Sequence, residues 1–327
     1  MSSPSSGAAG AEANGLTVLD IVAKGRSGST LVGLLLGQLP GFVDAGELRY
    51  VWTRRLGKGG NVLCGCGTLL RECPFWEEVG DEAFGGWDAL DASHVLGLHR
   101  AVERERYLPL LLEPRVSRAY EQKLNEYADL LGKLLRGIGT VSGARVVVDG
   151  PALLSRALVL RHVSGIDLNF LHLVRDARGV AFSWSKRVAR PETVGEVVYM
   201  PRYSAASVSV SWLYHNVGAH LVALLGDRHA FMRYETFVDD PRAELTRVLQ
   251  LLGHADSVPS LDFLGEEMSL KPTHSVWGNP MRLDSGKLSI KLDDQWRRDM
   301  PERDRKMVTT LTWPLLYAYG YTRRRPR

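Results

Sequence analysis

The stretch Lys24-Gly25-Arg26-Ser27-Gly28-Ser29-Thr30 gathers two cations, two glycines and three hydroxyl side chains. It follows an apolar run at 16–23 (LTVLDIVA) and precedes LVGLLLGQL. Strand, glycine turn and helix in that order aim backbone N–H groups and a helix N-terminus at one point, which makes a cradle for a phosphate-like anion. It is not a Walker A loop. That loop needs four residues between its glycines and then Gly-Lys-Ser/Thr, whereas only Arg26 and Ser27 separate Gly25 from Gly28, and Ser29 follows. The missing lysine disfavours a P-loop kinase or NTPase. The plainer alternative is an ordinary glycine-containing turn with a helix-capping serine.

A second junction of this kind is Leu173-Val174-Arg175-Asp176-Ala177-Arg178-Gly179-Val180-Ala181-Phe182-Ser183. A third feature is Gly46-Glu47-Leu48-Arg49, directly after the extended stretch 42–45. A carboxylate partly buried beside a hydroxyl has its pKa raised toward the working pH and becomes a general base. The alternative is a glutamate serving only the helix dipole. The first hundred residues hold two histidines, His94 and His99, both outside the loop-to-Glu47 unit. Glu47 is therefore the nearest candidate base, with Asp88, Asp91, His94 and His99 the next positions to consider.

Together the two junction motifs resemble the family of sulfotransferases that use 3′-phosphoadenosine-5′-phosphosulfate (PAPS), in its bacterial form. The resemblance runs from about Val18 to Tyr321. It implies that Arg26, Ser27, Gly28, Ser29 and Thr30 grip the 5′-phosphosulfate. Arg26 stands where cytosolic members carry lysine and would neutralise the leaving phosphate. Arg175 and Ser183, eight residues apart, would hold the 3′-phosphate, with Arg187 a further contact. Arg233-Tyr234-Glu235 followed by Asp240-Pro241 looks like the segment beside the adenine, which brings in Tyr234. The segment from His274 to Arg282, with Trp296 beyond it, resembles the cofactor-covering loop and contributes Asn279 and Arg282; alternatively it is a surface turn ended by a buried tryptophan. Glu47 lies twenty-one residues after Arg26, the interval found in tyrosylprotein sulfotransferases, where Arg49 matches a substrate-site arginine.

There are departures. Bacterial relatives often read Asp-Ser-Ser-Lys where this chain has Asp149-Gly150-Pro151-Ala152. Losing a cation at the reacting centre costs about 100-fold or more in rate, unless Lys24 or Lys186 fills in. Ala177 also replaces the familiar proline. The implied activity is sulfuryl transfer from PAPS, without a metal, to a hydroxyl of a small-molecule, carbohydrate or lipid acceptor. The alternative is a PAPS-binding protein without turnover.

These motifs need a scaffold. Apolar runs at 16–23, 145–149, 168–174 and 229–234 each precede a helical pattern, near 31–39, 152–162, 177 onward and 241–252. Alternation of this kind predicts an α/β fold with a P-loop-like, mostly parallel sheet flanked by helices. Residues 47–143, with a charged helical stretch near 114–136, read as an acceptor-side insertion over the sheet edge. At 327 residues and 45% hydrophobic content one large core is expected, spanning 16–322, after a disordered leader at 1–15 and before a basic tail at 323–327.

Four arginines of that tail match the formal net charge of +4, so the body is near neutral and no nucleic-acid partner is expected. No apolar run reaches the roughly 18 residues of a membrane span, and the leader lacks a signal-peptide pattern, so a cytoplasmic location is expected. The oligomeric state is not legible. Cys64, Cys66 and Cys73 fall within ten residues. Their CxC spacing is unlike a zinc knuckle, and the histidines nearest in sequence are His94 and His99, so a structural thiol loop is expected ahead of a metal site.

Overall fold

The computed structural model describes residues 15–322 apart from 58–60, 196, 266, 267 and 285. The expected leader, except Gly15, and the basic tail lie outside the described residues. Five strands, β1 (Leu16–Val22), β2 (Phe42–Gly46), β3 (Val146–Ala152), β4 (Ile166–Val174) and β7 (Arg228–Arg233), form one sheet in the order β2-β3-β1-β4-β7. All of its pairings are parallel. Between β4 and β7, β5 (Ala189–Arg190) pairs antiparallel with β6 (Val198–Tyr199). After β7, β8 (Met268–Leu270) pairs antiparallel with β9 (Gly286–Leu288).

A parallel sheet is stable when both faces are covered, and β1 shows how this is met. Val18 and Val22 join one core with Trp52, Trp76 and Leu131. Leu19 and Ile21 point the other way and join Leu34, Leu35 and Val248. Helix α1 (Ser29–Leu36) follows the first loop. Residues 47–143 then supply α2 (Val51–Arg55), α3 (Pro74–Phe84), α4 (Ala92–Val102), α5 (Leu108–Leu112) and α6 (Arg118–Ser142). Helix α6 packs on α3, α4 and the strands β1 and β3, so this segment covers a face of the sheet rather than only its edge.

The expected helix near 114–136 is displaced to 118–142. Pro114 opens a separate 3₁₀ turn, while Gly143, at φ 64°, ends α6 by the left-handed conformation glycine permits. The rest comprises α7 (Leu154–Leu160), α8 (Ala177–Ser185), α9 (Ala205–Ala223), α10 (Tyr234–Asp239), α11 (Pro241–Leu251), α12 (Trp296–Asp299) and α13 (Glu302–Ala318). Among the described residues, no helix is long and apolar enough to cross a membrane.

Candidate active site

Each strand of the five-stranded sheet ends at one cavity of about 710 Å³. The residue just past each strand lines it: Ala23 after β1, Glu47 after β2, Leu153 after β3, Arg175 after β4 and Tyr234 after β7. This is where open α/β sheets bind ligands, outside the carboxyl ends of the strands and where the strand order reverses around β1.

The first loop turns through two left-handed residues, Gly28 at φ 97° and Arg26 at φ 76°. Gly28 has no alternative, since a Cβ there would lie 2.5 Å from the Tyr234 ring. Arg26 is the one described residue other than glycine with positive φ, and such conformations persist where surrounding structure enforces them, commonly at functional sites. The enforcing contacts are visible. Arg26 Nε donates to Ser183 Oγ at 2.9 Å, Arg175 Nη1 donates to the Arg26 carbonyl at 3.2 Å, and Trp184 Nε1 donates to the Gly25 carbonyl at 3.0 Å. Helix α1 begins without a side-chain cap, so its first amides are left to a ligand or to water.

Arg26, Gly28, Ser29, Thr30, Arg175, Ser183 and Tyr234 all line the cavity. Arg175 lies 4.7 Å from the centre of the Tyr234 ring and donates to the Asp293 carboxylate at 3.0 Å. Ser27 instead sits beneath the loop, 1% exposed, its hydroxyl without a partner.

Glu47 faces this loop from the end of β2. Its N–H donates to the Trp277 carbonyl at 3.0 Å, and Gly46 before it stands at φ 67°, where a Cβ would meet that carbonyl at 2.7 Å. The close approach of the two segments fixes the glutamate. Enclosure raises the Glu47 pKa to about 7, although Arg49 and Arg190 oppose the rise. The carboxyl is thus poised to exchange a proton near neutral pH.

Beneath Glu47 runs a buried ionic network. The Leu48 N–H donates to Asp149 at 3.0 Å, Arg156 reaches Asp149 at 2.8 Å and Glu103 at 3.3 Å, and Tyr127 donates to Glu103 at 2.7 Å. Burial would raise the Glu103 pKa, but Arg156 and His99 hold it down at about 2. Asp20, on β1, is pushed well above the usual carboxylate range by burial and by Asp149. Arg49 closes the network at the cavity side, its Nε 4.0 Å from Glu103.

Among the described residues, six cations, Lys24, Arg26, Arg49, Arg175, Arg190 and Lys291, line the cavity against two carboxylates, Glu47 and Asp293. Asn279 also lines it, and its N–H donates to Thr30 Oγ1 at 3.3 Å. Besides Ser27, two more of the ligand residues singled out in the sequence stand elsewhere. Arg187 stacks 3.9 Å from the centre of Tyr199 and is not among the lining residues. Arg282 is 1% exposed and donates to the carbonyls of Ser275 and Leu63, pinning two loops together.

Neither do the fallback bases of the insertion line the cavity. Asp91 caps α4, His94 pairs with Glu126 and His99 with Tyr127. The histidine that does line it is His215 on α9. Its Nδ1 donates to the Ser211 carbonyl at 2.7 Å, and burial lowers its pKa, so a neutral ring is favoured. No local pattern marked His215 or Arg190, because nothing in their own stretches of sequence shows which strand ends they face.

Of the two lysines weighed against the departure at 149–152, Lys24 lines the cavity, with Nζ 5.5 Å from the centre of the Trp184 ring. Lys186 instead donates to Gln295 at 2.7 Å. Glycine at 150 has a local cause. Gly150 stands at φ 148°, and a Cβ there would lie 2.9 Å from the Ile21 carbonyl, where the β1–β3 register shifts.

No family model matches the chain, and no curated protein matches it. Among solved structures, the sulfotransferase domain of the Synechococcus PCC 7002 olefin synthase aligns at 20% identity, covering 94% of this chain and 97% of that one, with a TM-score of 0.49. The sulfotransferase domain from the curacin biosynthetic pathway aligns at 16% identity over 91% and 98%, with a TM-score of 0.45. Sulfotransferase STF9 of Mycobacterium avium aligns at 13% identity over 77% and 68%, with a TM-score of 0.40.

Proposed function

We propose that the cavity binds PAPS and that the protein transfers its sulfuryl group to a hydroxyl of a small-molecule, carbohydrate or lipid acceptor. The observation that carries this reading is the convergence of two anion-binding junctions, Arg26–Thr30 and Arg175 with Ser183, on a cation-rich cavity with Glu47 in the same space. The volume suits a nucleotide-sized ligand, since small-molecule pockets run from roughly 300 to 1,000 Å³. A ligand with phosphate groups at both ends suits two separate arginine sites.

When bound, PAPS would supply an electrophilic sulfur and a phosphate leaving group. The chain's residues then have distinct work. Arg175 and Ser183 hold the 3′-phosphate, and Tyr234 lies alongside the nucleoside. Arg26 and the uncapped amides of α1 stabilise negative charge gathering on the departing 5′-phosphate, as loose group transfers require. Glu47 takes the proton of the acceptor hydroxyl as its oxygen bonds to sulfur, and Arg49 sits on the acceptor side. Lys24 supplies a cation in the cavity wall in place of the lysine expected at 152.

The experiment is a transfer assay with ³⁵S-labelled PAPS against separate pools of phenolic and alcoholic small molecules, oligosaccharides and lipids. Labelled product in one pool is expected. Binding of 3′-phosphoadenosine-5′-phosphate without transfer in any pool would instead leave a PAPS-binding protein, and tight binding of ATP with magnesium would remove the reading.

A further inference from the structure

The three cysteines meet a histidine that no spacing rule indicated. Cys64, Cys66, Cys73 and His274 present one ligand atom each, all within 4.8 Å of one another. Cys73 Sγ lies 3.4 Å from His274 Nδ1, Cys64 Sγ 3.8 Å from the same nitrogen, and Cys66 Sγ 3.7 Å from Cys73 Sγ. A tetrahedral zinc with Zn–S bonds of about 2.3 Å and Zn–N bonds of about 2.0 Å sets its ligands about 3.5–3.8 Å apart. The sulfurs are also far beyond the ~2.05 Å of a disulfide.

The backbone is shaped to this end. Gly67, at φ 89°, turns the chain between Cys64 and Cys73, and its N–H donates to the Cys64 carbonyl. Gly65 leaves no room for a side chain, since a Cβ would meet the Thr273 carbonyl at 2.7 Å; the thiol loop therefore lies directly on the histidine's own segment. Cys73 is fixed as the residue before α3, and two side chains in the first turn of that helix orient the histidine. Phe75 stacks on the His274 ring at 4.4 Å and 11°, and Trp76 Nε1 donates to the His274 carbonyl at 2.9 Å.

We propose that Cys64, Cys66, Cys73 and His274 Nδ1 hold one four-coordinate zinc ion, which clamps the loop forming one wall of the cavity onto the thiol loop. All four positions are filled by protein, as in a closed structural site, and soft thiolates in a tetrahedral set favour zinc. The clamp acts on the cavity because the segment after His274 runs straight into it. Ser275 donates to Asp44 at 3.0 Å, Val276 N–H donates to the Ala45 carbonyl, and Trp277 receives the Glu47 N–H at 3.0 Å. The ion joins positions 201 residues apart, Cys73 and His274, so its site exists only in the folded chain and its binding stabilises that state. This assignment replaces the metal-free thiol loop expected from the sequence, and it is independent of the transfer chemistry.

The full chain, purified under reducing conditions from zinc-supplemented culture, is analysed for metals, and its zinc is then exchanged for cobalt(II). About one zinc per chain is expected, with cobalt giving intense tetrahedral d–d bands and thiolate-to-metal charge transfer. His274→Ala and Cys73→Ser are expected to fall below about a tenth of that zinc content, and chelation of the unmutated protein to lower its Tm by several degrees. Cobalt in the unmutated chain needs no variant to fold. The proposal is overturned by sub-stoichiometric zinc together with octahedral or absent cobalt bands, by stoichiometric iron in place of zinc, or by a Cys66–Cys73 disulfide in mass spectra of the purified chain.

Discussion

The two walls of the cavity are built by different means. On the side of the two loops, Arg26 to Thr30 and Arg175 to Ser183 are short contiguous stretches at the ends of two neighbouring strands, and they bond directly to each other. On the Glu47 side, no stretch is self-sufficient. Glu47 owes its place to the Trp277 carbonyl, and Leu48 to Asp149, which is held by Arg156, which in turn pairs with Glu103. The first wall depends on loop geometry and carries cations that a ligand can neutralise. The second depends on buried charges that must be paired among themselves before any ligand arrives. Damage to the first should therefore appear in binding, and damage to the second in turnover or stability.

The sharpest division concerns Glu47→Gln. Turnover is expected to fall about 10²- to 10⁴-fold, with binding of 3′-phosphoadenosine-5′-phosphate unchanged by calorimetry. Since burial raises the Glu47 pKa to about 7, its carboxyl is protonated below that pH and cannot accept a proton, so wild-type activity rises as pH increases through about 7. The variant is expected to lose this limb. Stability runs in the opposite direction. The folded state keeps a proton that the unfolded chain releases between about 4.5 and 7, so this group's contribution is fully present at acid pH and declines across that window as pH rises. Near-wild-type turnover in Glu47→Gln would take the base away from this wall.

Next in size is Arg156→Met, which leaves Asp149 and Glu103 as buried carboxylates without their shared cation. A loss of about 3–5 kcal/mol in urea unfolding is expected. A loss under about 1 kcal/mol would mean that water or protonation satisfies the pair, and the second wall would not rest on charge pairing.

On the first wall, Arg175→Ala is expected to weaken 3′-phosphoadenosine-5′-phosphate about 10- to 100-fold, the worth of a charged hydrogen-bonding partner. Binding of 5′-adenylate, which lacks the 3′-phosphate, should change by less than about threefold on that same basis. Equal losses for both ligands would remove Arg175 from the 3′-phosphate. The smallest effect is expected from His215→Ala, less than about tenfold in turnover, because the ring lines the cavity without a carboxylate partner that would strengthen it as a base. A His215→Ala loss matching that of Glu47→Gln would move proton transfer to α9.

The division between the walls also explains what the sequence disclosed. Four strands of the parallel sheet were legible because they are apolar runs, each followed by a helix, whereas β2, with Asp44 and Gly46 in its five residues, read only as an extended stretch. The loop at 24–30 was legible because the residues that shape it adjoin each other. Glu47 could be singled out as the nearest base and by its interval from Arg26, but its raised pKa was not legible, since it comes from burial with Asp149 adding to the rise and Arg190 opposing it, both far along the chain. His274 shows the same limit. The histidines nearest the cysteines along the chain are His94 and His99, whereas the one that meets them arrives from the loop after β8. Arg282 looks like a ligand contact in a linear motif, but folding spends its guanidinium on two carbonyls.

Arg26 places selection on the fold and selection on the chemistry in opposition. Its left-handed backbone at φ 76° costs about 1–2 kcal/mol that glycine would not incur. Evolution in the laboratory toward heat resistance alone should drift toward glycine at this position, trading the loop's side-chain cation for a relaxed turn. A lineage that keeps arginine there is one in which the charge is being used.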